Sequence, residues 1–182
     1  MPTAELQKNV AARAQALRDR LNAAATSGGV APDEAATEAH RLFEDAADET
    51  RVRWLNLELG GYGTLVDSRP LHEVLGVPAG DRLVAHVTAY RTQRGAELLP
   101  SPHRRPFEHF FVESLQELAG HRQVVVARFG PPKPGEEVEL DFRPRAGLAG
   151  YPTRATFSRD VFERVVEGFL AVLYLQLGSA TG

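Results

Sequence analysis

A long apolar stripe near the C-terminus most strongly restricts how this chain can fold. The segment "FSRDVFERVVEGFLAVLYLQL", residues 157–177, repeats large apolar side chains at spacings of three and four, which is typical of an amphipathic helix. Glu167 interrupts the apolar run, which is too short to cross a bilayer, so we expect a helix of the protein core. We expect Ser158 to cap this helix and Gly178 to end it. The predicted stripe consists of Phe162, Val165, Val166, Phe169, Leu170, Leu173 and Leu177.

The N-terminal third predicts three further helices. Residues 4–26 place apolar side chains on one face and charged side chains outside it, and the segment "TSGGVAPDEA" then interrupts the helix. A second helix begins near Pro32. A third, at roughly 49–59, begins after Asp48 and ends at Gly61 or the glycine before it. The stripe of the first helix consists of Leu6, Val10, Ala14, Leu17 and Leu21.

The rest of the chain alternates strand-like and helix-like segments. The β-branched and aromatic segment "RLVAHVTAYRT", at 82–92, predicts a strand. A helix is expected from Pro106 to Gly120. Two strand-like segments follow, "RQVVVARF" and "EEVELDFR", and the second alternates apolar and acidic side chains, as on a sheet with one dry and one wet face. The segment "TRATF", at 153–157, adds a fourth short strand.

These elements predict an α+β protein, with N-terminal helices packed on a small, mainly antiparallel sheet and two further helices. The length of 182 residues suits one domain of ordinary size or one domain with a helical appendage. We divide the chain into an N-terminal helix and linker, residues 1–31, and an α+β domain, residues 32–178.

Composition and charge exclude several classes of protein. The formal net charge of −3 argues against a general affinity for nucleic acid or for acidic membranes. The absence of cysteine excludes disulfides, thiolate zinc sites and a cysteine nucleophile. The first residues lack the apolar run of a signal peptide, so we expect a cytoplasmic protein without a membrane partner.

The stretch "RWLNLELGGYG", residues 53–63, combines the single tryptophan of the chain with a lone acid among leucines. Hydrophobicity explains the leucines but not Glu58, because a carboxylate on an apolar helix face costs free energy unless it is paired. Two glycines and Tyr62 follow at once. The stretch therefore predicts a buried carboxylate with a specific partner, next to a sharp turn of the chain.

Together with a later Tyr-Arg pair, this stretch resembles the signature of the AbiTii family of bacterial abortive-infection proteins. The resemblance runs in order over roughly residues 35–177. It implies a role in phage resistance and brings no catalytic residues with it. Gly60 stands where the family usually has asparagine. The matching residues are Trp54, Glu58, Leu59, Gly61, Tyr62, Tyr90 and Arg91.

Arg91 is the natural partner of Glu58 because guanidinium and carboxylate can form two parallel hydrogen bonds. Gly61 permits the sharp turn, and Tyr62 packs its ring while its hydroxyl finds an acceptor. We interpret these residues as a structural clamp between helix and sheet. A catalytic Glu58 is the less favoured interpretation, since ion pairs also place charges in protein cores.

Three arginines around the connector "PHRRP", Arg94, Arg104 and Arg105, could bind an anion if they share a face. A solvated surface is the favoured interpretation, because the chain is acidic overall. The six histidines contain no HxxxH or HExxH spacing, and the acids of "ELDFR" follow from strand alternation alone. We therefore expect no metal, no cofactor and no catalytic residues.

The function hypothesis is a non-enzymatic component of antiphage defence, of the abortive-infection type, that acts through partner binding or self-assembly. The expected partner is a second copy of the chain, joined through the helix at 4–26, or another defence protein. Two alternatives stay open. One is a defence toxin with nuclease activity at the arginine and histidine region, and the other is a general protein-interaction or oligomerisation module.

Overall fold

A computed structural model describes residues 4–27, 29–61, 95–98, 107–110, 113–141 and 154–179. Within these ranges the chain forms five helices and four strands. In chain order they are α1 (Ala4–Ser27), α2 (Pro32–Asp45), α3 (Glu49–Gly60), β1 (Gly95–Leu98), β2 (Phe107–Phe110), α4 (Leu115–Phe129), β3 (Glu137–Asp141), β4 (Arg154–Ser158) and α5 (Val161–Ser179).

The strands form two antiparallel ribbons, so the predicted α+β class is confirmed. In the first ribbon β1 pairs with β2, and in the second β3 pairs with β4, with Glu137 opposite Ser158. The predicted alternation of β3 is also confirmed, because Val138 and Leu140 are buried while the acids between them are exposed. The ribbon thus has one dry and one wet face, as expected for an antiparallel pair on a core.

Helix α5 lies in the middle of the core, as its broad stripe predicts. It packs against α1, α2 and α4. Phe162, Phe169 and Leu173 are at most 1% exposed. An edge-on contact at 5.2 Å between the rings of Phe157 and Phe162 joins α5 to the second ribbon.

Helix α1 packs its stripe on α2 and α5 of the same chain. Ala14 and Leu17 are fully buried in the common hydrophobic core, whereas Leu6 remains 38% exposed. Ion pairs between exposed side chains tie α1 to α2 along its outer face, and each contributes little on its own. The stripe of α1 therefore has its cover within the chain.

The predicted starts of α2 and α3 are confirmed. Pro32 occupies the first turn of α2, where a backbone N–H would have no partner within the helix, so the missing N–H of proline costs no hydrogen bond. Asp48 caps α3 by accepting a hydrogen bond of 3.0 Å from the backbone N–H of Arg51. Gly61 follows α3 with φ of 84°, so it, rather than Gly60, is the glycine that the chain needs for the turn.

Helix α4 corrects two predictions. The strand predicted at 122–129 is wrong, because this segment is helical. The helix predicted to begin at Pro106 is wrong at its start, because 107–110 is a strand. A capping box begins α4: Ser114 and Glu117 each accept a backbone N–H from the other. The buried side chains then recur at helical spacings through Leu115, Leu118 and Val125, and this burial overrides the β-propensity of three consecutive valines.

Both predicted ends of α5 were also wrong. Ser158 belongs to β4 and its hydroxyl donates to Asp160, while the carbonyl of Asp160 accepts the first helical N–H, from Arg164. Gly178 lies inside the helix, where an added Cβ would be 3.2 Å from Arg18 Cζ. This glycine therefore serves the contact between α1 and α5. The strand expected at 82–92 lies outside the described residues.

Candidate functional site

Trp54 and Glu58 form a hydrogen-bonded pair inside the protein. They are four residues apart on α3, so their side chains share one face of the helix. Trp54 Nε1 donates to Glu58 Oε1 at 3.1 Å, and both residues are 0% exposed. The pair places an acceptor and a donor where water cannot reach them, which satisfies two groups that would be costly to bury alone.

The Trp54 side chain also anchors α3 to the core. Its ring centroid lies 5.8 Å from that of Phe169 on α5, within the range of favourable aromatic contacts. Leu55 is fully buried in the same cluster, and Leu59 is partly buried against it. The helix then ends at Gly61, so four of the seven signature residues lie along one short helix and its cap.

The remaining predicted site residues lie outside the part of the chain that the structure describes. They are Tyr62, Tyr90 and Arg91 of the signature and Arg94, Arg104 and Arg105 of the anion-site hypothesis. The ion pair between Glu58 and Arg91 and the arginine patch therefore remain predictions from the sequence.

A second buried carboxylate, Glu113, was not foreseen. It is 1% exposed and directly precedes Ser114, the capping residue of α4. Helix α3 packs against α4, so Glu58 and Glu113 are two buried acids on neighbouring elements. Asp160, which directly precedes α5, is a third buried acid among the described residues. No spacing in the sequence distinguishes Glu113 from an exposed acid, which is why sequence reasoning missed it.

An open groove runs between the C-terminal half of α1, the segment that precedes α2, and the outer face of α5. Its volume is about 770 Å³, in the range of binding clefts. Leu21, Val166 and Leu170 belong to its apolar lining. On the same stretch of α5, Leu175 also lines the groove and is 47% exposed. Sequence reasoning assigned Val166 and Leu170 to the buried stripe of α5 and did not foresee that they also line a groove.

Charged side chains line one part of the groove. Arg122 of α4 pairs with Glu163 of α5 at 2.5 Å between Nε and Oε2. Glu167, one turn further along α5, is exposed and also lines the groove. At the end nearer the C-terminus, the guanidinium of Arg18 lies 4.4 Å from the ring centroid of Tyr174, a cation–π contact that holds α1 on α5.

The acids on the wet face of β3 are balanced across the ribbon. Arg154 of β4 lies 2.7 Å from Asp141 and 3.6 Å from Glu139. The hydrogen bond to Asp141, followed by the charges of Asp141 and Glu139, raises the pKa of Arg154. Searched over the described ranges alone, the chain shows no group of three or more His, Asp or Glu side chains that could hold a metal ion.

Of the helices with described residues, none combines the length and apolar character needed to cross a membrane. No protein family model, curated protein or solved structure matches this chain.

Proposed function

We propose that the chain is a non-enzymatic component of bacterial antiphage defence, of the abortive-infection type. It acts in the cytoplasm by binding another defence protein or by assembling with itself. The family resemblance supports the biological role, and it rests on the signature that begins at Trp54 and Glu58. The burial of Trp54 and Glu58 supports the non-enzymatic part of the proposal.

The observation that carries the proposal is the complete burial of Glu58 on α3. A general acid or base must come within hydrogen-bonding reach of its substrate. Glu58 is 0% exposed and accepts a hydrogen bond from Trp54, so it holds the helix in place rather than contacting a substrate. The signature then stabilises the fold, and the function falls to the surface, where a partner can bind.

Infection of cells that express the full chain tests the defence role. We expect at least one phage of a diverse panel to form about tenfold fewer plaques on these cells than on cells with the empty vector. The matched control is Leu173→Asp, which places a charge at a fully buried position of α5 and should unfold the chain. Plaque numbers equal to the vector for every phage would contradict the proposal.

Nuclease assays separate this proposal from the toxin alternative. The purified chain is incubated with plasmid DNA and with RNA in the presence of Mg²⁺. The proposal expects no cleavage by the full chain. Cleavage that disappears in Arg104→Ala and Arg105→Ala would favour the toxin instead.

A further inference from the structure

We propose that the groove between α1 and α5 binds an amphipathic helix of a partner protein, with apolar side chains in the groove and a lysine or arginine against Glu167. This deepens the proposed function, because it names the surface and the chemistry of the partner. It rests on that function only for the identity of the partner as a defence protein.

The length of the groove suits a short helix. The lining residues of α5 run from Glu163 to Leu175, which corresponds to about 18 Å along the helix axis. A partner helix of roughly three turns covers that distance and offers apolar side chains at i, i+3 or i+4, and i+7. A cleft of about 770 Å³ has room for several such side chains.

The apolar surface of the groove gives the partner helix its anchor points. Leu175 is 47% exposed at one end of the lining. Leu170 and Tyr174 are partly exposed beside it, and Ala171 between them has a small side chain that leaves space. These residues lie on one face of α5 at the border of the buried stripe, where Leu170 and Tyr174 also pack against the core.

The charge of the groove decides which helix fits. Arg122 and Glu163 neutralise each other across α4 and α5. Glu167 makes no hydrogen bond or ion pair with any residue that the structure describes. Among the described residues, Glu167 is thus a negative charge without an opposite charge beside it, near the Glu163 end of the apolar lining, while Arg18 lies over Tyr174 at the other end. Charge complementarity favours a partner helix that places a cation against Glu167.

A second copy of this chain fits the groove less well. Four of the described helices already bury their main apolar side chains in the core, with Leu17 on α1, Phe43 on α2, Val125 on α4 and Phe169 on α5 as examples. A helix that docks by its apolar face would first have to leave that core. The occupant that the geometry favours is thus a helix from a different protein.

Fluorescence anisotropy with two designed peptides tests the inference on the full chain. Both peptides have about fourteen residues and the same leucines at helical spacing; one carries lysine and the other glutamate at the polar positions. We expect the lysine peptide to bind at least about tenfold more tightly than the glutamate peptide. The difference should shrink as salt is added, because exposed charges are screened.

Variants with matched charge show whether the groove is the binding site. Glu167→Lys should reverse the preference between the peptides, and Ala171→Arg should weaken both by filling the groove. Glu137→Lys makes the same change of charge on the exposed face of β3, and we expect it to leave the preference unchanged. Circular dichroism of each variant, with a wild-type spectrum, verifies that the fold is kept.

Three results would overturn the inference. They are the absence of binding by both peptides, equal affinity for the two, and binding that Glu167→Lys and Ala171→Arg leave unchanged. Sedimentation gives a fourth: a dimer of the full chain that Ala171→Arg dissociates would place a second copy in the groove. Plaque reduction without peptide binding contradicts this inference alone, and peptide binding without plaque reduction contradicts the defence role alone.

Discussion

Glu58 is a buried carboxylate on α3 that accepts a hydrogen bond from Trp54 Nε1. Its position between Leu57 and Leu59 predicts burial with a partner, and burial is confirmed by its 0% exposure. The sequence did not identify Trp54 as a hydrogen-bond donor to Glu58, because a tryptophan one helical turn away is expected first of all to be a core side chain. In the structure the ring does both, since it packs on Phe169 and donates its N–H to Glu58.

The clamp between Glu58 and Arg91 gives the prediction at this scale. If Arg91 is the partner of Glu58, as the sequence predicts, Glu58→Ala should lower the free energy of unfolding by about 3 kcal/mol, because it would leave that guanidinium without its carboxylate. Urea unfolding of Glu58→Ala, Arg91→Ala and the double variant measures the coupling between them. We expect the double variant to lose much less than the sum of the two single losses. Additive losses would show that Arg91 is not the partner.

Gly178 marks the limit of what one residue in a sequence can tell. Glycine near the end of an apolar stripe predicts a helix terminus, yet this glycine lies within α5 and allows Arg18 to approach to 3.2 Å of its Cβ position. Glycine is suited to this position because of a contact with Arg18, which is far away in the sequence. The residues next to Gly178 in the sequence do not predict that contact.

At the scale of elements, local rules worked where caps and periodicity agreed and failed where they conflicted. Helices α1, α2 and α3 and the second ribbon follow the sequence closely, and α5 follows its predicted stripe although both of its ends differ from the prediction. Helix α4 does not, because its three valines favour a strand while its capping box favours a helix. The signal was present in "SLQE", residues 114–117, and the burial of Val125 in the core settled the conflict in favour of the helix.

The two glycines after α3 provide a matched pair for the prediction at this scale. Gly61 has φ of 84° and ψ of 159°, a backbone region that essentially only glycine adopts, so Gly61→Ala should destabilise the fold by about 1–3 kcal/mol through backbone strain. Gly60 is helical, and an added Cβ there meets no atom within 4 Å. Gly60→Ala should therefore be neutral or stabilising by up to about 1 kcal/mol. Thermal melts of the two variants should shift in opposite directions, and a shared downward shift would contradict the assignment of the turn to Gly61.

For the whole molecule, the sequence predicts that the stripe of α1 is buried but cannot say against what. The structure places Ala14 and Leu17 in a core shared with α5. In the sequence, α5 lies about 150 residues after these two side chains. The stripe therefore gives no reason to expect a partner on that face. The homo-oligomer remains a prediction, and the sedimentation experiment on the groove addresses it.

Of the two candidate sites, the signature on α3 could be predicted from the sequence and the groove could not. The signature on α3 could be predicted because its residues are close together in the chain and one of them breaks the apolar pattern. The groove could not, because it exists only where α1, the segment before α2 and α5 meet. The sequence of each helix marks Leu21 as part of an apolar stripe and Glu167 as an interruption of one, but it does not show that the two residues line the same groove.

The variant Glu58→Gln, measured for both stability and plaque reduction, tests most directly whether the signature builds the fold and the surface carries the function. Glutamine keeps an oxygen acceptor for Trp54 Nε1 but loses the charge, so we expect a loss of about 1–2 kcal/mol and a melting point lower by a few degrees, at roughly 2–4 °C per kcal/mol. Plaque reduction should persist at temperatures where the variant stays folded. An unchanged melting point together with complete loss of plaque reduction would contradict the account, because Glu58 would then act in chemistry and not in structure.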